Sequence, residues 1–395
     1  MSVYICGAVR TPFSMPGGFL SAFDVEALAA LPLSDLINRN KLVDWEAVGH
    51  ITLGCENSRG EAENNIARTA ALRAGFSKTI RGEVQSRRSR SGLFAVVSAA
   101  KTIASGELNL IVTGGVESVG QLHIPKSIFQ SARGNNLLVR ANQVANEHGS
   151  NTRLSGVARM EYLASHFSIS REDQDQFSFR SQARWQAAAD KGFFEREAMV
   201  VRVVDGQGNN LVFRNDEVRY VADGIAEFRS VNEIHRVDGT IALGNSSPIS
   251  DGACAMLLAS ESAATRYGLV PRVRIVAHAF IESQSIDYLL GSSAAVHKVL
   301  KIAGLKLSQI DFIEISEASA VNAIAVLREL KIPVDADYVN TNGGSLAVGD
   351  PAGATGARLV ITAINQLESS GGRFAVCAIC DEHGQGVAIL IERIE

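Results

Sequence analysis

The chain has 395 residues, of which 46% are apolar and 20% charged, with a formal net charge of -4. That length exceeds one simple core, so two or three domain-sized units are expected. The slight acidic excess argues against a general nucleic-acid binder, which carries a basic face, and no apolar run reaches the roughly 18 residues of a membrane span. The opening MSVYICGAVRTPF lacks a basic stretch followed by an apolar one, and the closing LIERIE is not a peroxisomal address, so a cytoplasmic protein is expected. Cys6, Cys55, Cys254, Cys377 and Cys380 are scattered and odd in number, which fits thiols in a reducing compartment rather than a disulfide framework.

In chain order, VYICGAV (3–9), HITLG (50–54), LNLIVTGG (108–115), FIEI (312–315), FAVCAI (374–379) and VAILIERI (387–394) read as strands. Between them GEAENNIARTAALRAG (60–75) and SGLFAVVSAAKTIASG (91–106) place apolar residues at helical spacing. Strands alternating with such helices predict an α/β fold whose mostly parallel sheets are covered on both faces. The blocks GLFAVVSAAKTIASGELNLIVTGG (92–115) and GARLVITAINQLESSGGRFAVCAI (356–379) share length and apolar rhythm, and a polar turn precedes each. Two readings stand: any two α/β units look alike, or the halves are duplicates whose turns meet at one site. The stretch from about Gln121 to Asn232 breaks the rhythm and is rich in Arg, Asn and Gln. Ser170 and Asp173 there resemble a capping box that starts a charged helix, and an insertion this long usually serves binding or assembly.

Ser89 stands two residues before Ser91-Gly92-Leu93, among Arg87, Arg88 and Arg90, where a chain often places a nucleophile. A helix dipole supplies roughly 0.3–2 kcal/mol, too little to turn a serine into an alkoxide. A serine here needs a hydrogen-bonded base. The arginines at 81, 87, 88 and 90 either steer an anionic substrate or, as the family resemblance described below implies, form salt bridges between subunits. Cys377 and Cys380 form a C-x-x-C, but along a strand end with no second ligand pair nearby, which speaks against redox or metal chemistry.

AVRTPF (8–13), SGL (91–93), GGVES (114–118), GNSSPISDGA (244–253), SEASA (316–320), NGGSLAVGDPAGATGAR (342–358) and CDEHGQG (380–386) follow one another at plausible spacings. Together with the helix ISREDQDQFSFRSQARWQAA they resemble the thiolase family over nearly the whole chain. The resemblance implies the thiolase fold, a duplicated five-layered αβαβα structure with an inserted loop domain. The N-terminal half would span 1–120 plus 240–265, the loop domain 121–239 and the C-terminal half 266–395. It further implies acyl transfer through an acylated cysteine, acyl-CoA as substrate without a permanently bound cofactor, and a homodimer or homotetramer. Coenzyme A contacts map onto Arg159, Met160, Ser246, Ser247 and Ala318; simple turn chemistry also accounts for the two serines. Pro248 replaces a family glycine and Ser319 a phenylalanine, so a reshaped pantetheine channel is expected. GGVES is expected to serve packing.

The catalytic positions depart from the family. Its nucleophilic cysteine is Ser89, its Gly-His-Pro is Gly349-Asp350-Pro351, and the asparagine of Asn-Glu-Ala-Phe is Ser316. Its second cysteine is retained as Cys380, followed by Asp381-Glu382-His383-Gly384 in place of two glycines. An aspartate with a pKa of about 3.9 is a weak base unless burial raises it; Arg87, Arg88 or Arg90 nearby would push the other way, and an ionised Asp350 would repel an enolate. A relay Ser89–His383–Asp350 would supply a base. The oxyanion site made by backbone N–H groups survives these changes. Acyl transfer from Ser89 to an amine, a hydroxyl or a carrier thiol is therefore expected, from acyl-CoA or an acyl-carrier thioester. The alternatives are a non-catalytic subunit that binds CoA or a partner protein, and a conventional acetyl-CoA C-acyltransferase carrying a substituted nucleophile.

Overall fold

Strand β1 (Val3–Arg10) lies near the middle of a nine-stranded sheet, with antiparallel neighbours on both sides. A computed structural model describes residues 1–56, 65–119, 156–204, 207–217, 224–230, 239–282, 290–381 and 384–394. The strands are β2 (His50–Gly54), β3 (Arg81–Gln85), β4 (Leu110–Glu117), β5 (Val201–Val204), β6 (Asn210–Phe213), β7 (Gly252–Ser260), β8 (Val273–Glu282), β9 (Phe312–Ile315), β10 (Phe374–Cys380) and β11 (Gln385–Arg393). From β1 outward the order is β1-β7-β4-β2-β3, and from β8 outward it is β8-β11-β10-β9. Each half thus runs first strand, last strand, next-to-last, second. Val339 bridges Ile313 in parallel where the N-terminal half has β3 beside β2. This shared order, with β1 and β8 pairing antiparallel at the seam, decides for duplication.

Helices α1 (Val25–Arg39) and α2 (Ile66–Ala74) cover the outside of the first half-sheet, and α8 (Gly291–Ala303) with α9 (Ala320–Glu329) the second. Between the half-sheets lie α3 (Ser91–Ala104) and α11 (Ala352–Ser370), which pack on each other and on strands of both halves. Five layers result. Helices apolar around their circumference belong in an interior, and every residue of α11 from Gly353 to Leu367 is buried. The contact between α3 and α11 depends on glycine. A Cβ on Gly92 would stand 2.6 Å from the Gly353 carbonyl oxygen, and one on Gly356 2.5 Å from the Leu93 nitrogen.

The inserted segment contributes α4 (Gly156–His166), α5 (Arg171–Asp190), the β5–β6 hairpin and α6 (Ile225–Ser230), while the short α7 (Glu261–Arg266) follows β7 and α10 (Ser345–Val348) precedes α11. The capping box is present: the Ser170 hydroxyl accepts from the Asp173 N–H at 3.0 Å, and the Asp173 carboxylate from the Ser170 N–H at 2.9 Å. A buried charge cluster ties this segment to the core. Arg10 of AVRTPF donates to Glu197 at 2.7 Å and to Asp216 at 2.6 and 2.9 Å. Asn365 of α11 reaches Glu197 at 3.1 Å. The two carboxylates raise the Arg10 pKa against the opposing effect of burial. Breaking a buried pair of this kind from one side costs about 3–5 kcal/mol.

Three strands of the main sheet escape the reading by alternation. β3 is a short, exposed edge, β7 (GACAMLLAS) is a small-residue run buried on both faces, and β8 interleaves Arg274 and His278 among its apolar residues. α11 begins at Ala352, before the expected Gly356, because Pro351 takes the N-cap position. From the glycine contact, Gly92→Ala is expected to destabilise the protein by about 1–3 kcal/mol through overpacking. Urea denaturation of the two proteins measures it, and an unchanged midpoint would contradict the close approach.

Candidate functional site

The turn before α3 is tied by its own polar groups. The Arg87 N–H donates to the Ser91 hydroxyl at 2.8 Å, which donates to the Arg88 carbonyl at 2.5 Å. Arg88 has φ of 55°, the left-handed region, which costs a non-glycine residue roughly 1–2 kcal/mol. Ser89 follows it, half-buried, at the entrance to α3. Arg90, at the N-cap, turns inward: its Nε and Nη2 donate to Asp381 Oδ2 at 3.0 and 2.8 Å.

Asp350 occupies the corresponding turn before α11. Its N–H donates to the Pro248 carbonyl at 2.9 Å, and its Oδ1 accepts from the Thr355 hydroxyl. Burial raises its pKa, opposed by the Thr355 bond and by Arg358. Of the two opposing influences expected on Asp350, burial is the larger. Arg90 is paired with Asp381 and Arg87 lies 5.2 Å over the Phe94 ring, while burial prevails over the one cation, Arg358, that acts on Asp350.

Ser316, buried at the end of β9, donates its N–H to the Ala378 carbonyl at 3.1 Å. The Ala318 carbonyl accepts the Ser247 N–H and hydroxyl, each at 3.1 Å, and Ser246 bridges Ser319. Ser319, which replaces an aromatic residue, caps α9 by accepting the Asn322 N–H at 3.3 Å. Arg159 and Met160 lie in the first turns of α4. The same helix's Glu161 accepts the N–H groups of Thr240 and Ile241 at 2.7 and 3.0 Å, which docks α4 on the segment leading to Ser246.

Cys380 ends β10, half-buried, and the hydroxyl and N–H of Ser292 in the first turn of α8 bond its thiol. Burial raises its pKa, and the Ser292 bonds pull the other way. Cys377 is fully buried and donates to the Leu359 carbonyl at 3.5 Å. Residues three apart on a strand face opposite sides, so the two thiols do not face each other, and none of the five cysteines is in a disulfide. Among the described residues no three His, Cys, Asp or Glu side chains are grouped to hold a metal. His383 lies outside the described residues.

The turns carrying these residues are linked one to the next. Arg90 joins Asp381, Ala378 joins Ser316, Ala318 joins Ser247, Ile249 bridges Asp350, and Gly353 meets Gly92. The sequence reading missed three buried polar residues that hold this ring. Glu117 of GGVES accepts the N–H groups of Glu56 and Gly353, each at 2.9 Å, so the motif does more than pack. Glu317 accepts from Ser181 and Asn340, both at 2.7 Å. Glu314 faces Arg358 at 3.5 Å, and burial pushes its pKa up to about 8. An acidic residue in an otherwise apolar strand was the available signal for Glu117 and Glu314.

Comparison with known proteins covers both halves. Residues 3–262 match the model of the thiolase N-terminal domain, and residues 269–393 that of the thiolase C-terminal domain. The chain is 38% identical to a beta-ketoadipyl-CoA thiolase of Acinetobacter baylyi, over 99% of each chain. It is 37% identical, again over 99% of each, to the 3-oxoadipyl-CoA/3-oxo-5,6-dehydrosuberyl-CoA thiolase of Escherichia coli. Among solved structures it resembles human mitochondrial 3-ketoacyl-CoA thiolase, with a TM-score of 0.89 and 29% identity over 100% of this chain and 99% of that one. Bacillus anthracis acetyl-CoA acetyltransferase superposes with a TM-score of 0.88 at the same identity and coverage.

Glu314 generates a pH prediction. Its folded pKa of about 8 lies above the usual 4.5, so its contribution to stability is present at acid pH and is lost as pH rises between those values. Glu314→Gln is expected to flatten that loss in urea denaturation series at pH 5 to about 8.5. Parallel slopes in both proteins would refute the raised value.

Proposed function

The chain belongs to the thiolase family, and from that premise we propose that it is an acyltransferase that carries the acyl group on Ser89. The donor is an acyl-CoA or an acyl-carrier thioester, and the acceptor an amine, hydroxyl or carrier thiol. The observation that supports this reading is the placement of the Ser89 and Asp350 turns at the entrances of two helices in backbone contact, Gly92 against Gly353. The hydroxyl and a carboxylate are thereby brought to one end of the central layer.

In this reading the Ser89 oxygen attacks the thioester carbonyl and loses its proton to a base, and the thiol departs. Asp350 is that base, acting directly or through His383. Burial that raises a carboxylate's pKa also makes it a stronger base at neutral pH. No enolate forms, so a carboxylate at this place carries no repulsion penalty in the step. Cys380, held by Ser292, serves as the acid that protonates the departing thiolate. Arg159, Met160, Ser246, Ser247 and Ala318 line the path of the donor's pantetheine. The protein works as a cytoplasmic homodimer or homotetramer.

A second reading, a non-catalytic member that binds CoA or a partner, draws on one observation: Asp350 already accepts the Thr355 hydroxyl. The two readings separate in one experiment. Intact mass is recorded after incubation with a panel of acyl-CoAs, and a gain is expected in the parent protein and not in Ser89→Ala. No gain with any donor, alongside measurable CoA binding, favours the non-catalytic reading. If Asp350 is the base, acylation climbs with pH through its raised pKa. Asp350→Asn should then slow it by about 10²–10⁴-fold and abolish that rising limb. Retention of the limb in Asp350→Asn would assign the base elsewhere.

A further inference from the structure

The ion pair between Arg90 and Asp381 joins residues that each stand one position beyond a candidate reactive group, Ser89 on one side and Cys380 on the other. It also joins the two halves of the molecule. The pair is almost completely withdrawn from water, with side chains 7% and 2% exposed. Two guanidinium nitrogens converge on Asp381 Oδ2 at 3.0 and 2.8 Å, and Nη2 also donates to the Gln385 side-chain oxygen. The other carboxylate oxygen accepts the Gln385 N–H at 3.0 Å, and the Asp381 N–H donates to the Gln385 carbonyl at 3.1 Å. The turn after Cys380 is therefore closed on itself and clamped to the turn that carries Ser89.

A buried ion pair is weak evidence for stability, because desolvation offsets most of its attraction. A fork of two nitrogens on one carboxylate does impose geometry. Glycine contact between α3 and α11 fixes the far side of the Ser89 turn, and Ser292 at the start of α8 holds the Cys380 thiol. The near side of the gap between the two turns is spanned by Arg90 and Asp381. We propose that Arg90 and Asp381 are a positioning pair that sets the spacing between Ser89 and Cys380. The inference rests on the placement of those two residues in one site, made above, and not on acylation of Ser89.

The test reads spacing independently of activity. Ser89→Cys introduces a thiol opposite Cys380, and the four remaining cysteines are buried. A disulfide forms only when Cα atoms come within about 4.4–6.8 Å. Diamide is added as oxidant, and loss of two thiols is followed by titration under denaturing conditions, with peptide mapping to identify the link between positions 89 and 380. Rapid cross-linking is expected in Ser89→Cys alone. Adding Arg90→Gly and Asp381→Gly together removes both charges, leaves neither buried unpaired, and should slow the link about tenfold or more while circular dichroism and Tm report an intact fold. Arg90→Lys, which keeps the cation and loses the fork, serves as the second variant and should also slow it. Absence of the link in Ser89→Cys, or an unchanged rate in either folded variant, overturns the proposal. Failure of the wild-type protein to acylate leaves this result standing, so the two readings fail separately.

Discussion

Backbone contact between α3 and α11 is the constraint from which the rest of the arrangement follows. Two helices meet at this distance only where side chains are missing, and Gly92, Gly353 and Gly356 remove them. Gly115 of β4 completes the approach, since a Cβ there would fall 2.0 Å from the Gly353 carbonyl. Once the helices touch, the turns that enter them have little freedom. Ser89 and Asp350 are the residues those turns deliver, one from each half of a duplicated chain. Glu117 then spans from β4 to the Gly353 N–H and to the Glu56 N–H, adding a polar anchor that three segments share.

Three of the altered side chains around this frame have found partners. Ser319 caps α9 where the family pattern carries an aromatic ring. Asp350 takes the Thr355 hydroxyl from the first turn of its own helix. Asp381 takes Arg90. A buried polar group left without a partner costs about 1–3 kcal/mol, so partners gained together keep several substitutions compatible with one fold.

Much of the fold was legible in the sequence because repetition and motif order are properties of the chain itself. The two blocks at 92–115 and 356–379 became α3–β4 and α11–β10, and the Ser170 capping box was read from three residues of spacing. β7 was not legible, since a strand buried on both faces shows no alternation. The site was legible only as positions. That Arg90 turns inward to Asp381 while Arg87 lies over Phe94 depends on partners nearly 300 residues apart in one case and seven in the other, and nothing local distinguishes them. The sign of the Asp350 shift was likewise hidden, because it depends on how completely neighbouring elements exclude water.

The sheet order also has a consequence for how the protein is made. β1 leaves the ribosome long before its antiparallel partner β7, which pairs Val3 with Ser260, and its other neighbour β8 comes later still. At about 5–20 residues per second, roughly ten to fifty seconds separate the appearance of β1 from that of the strand that completes it. During that interval VYICGAVR has two open edges in a nascent chain that already carries apolar β2 and β4. The N-terminal half is thus committed to waiting, and its earliest strand is the last to be secured on both sides.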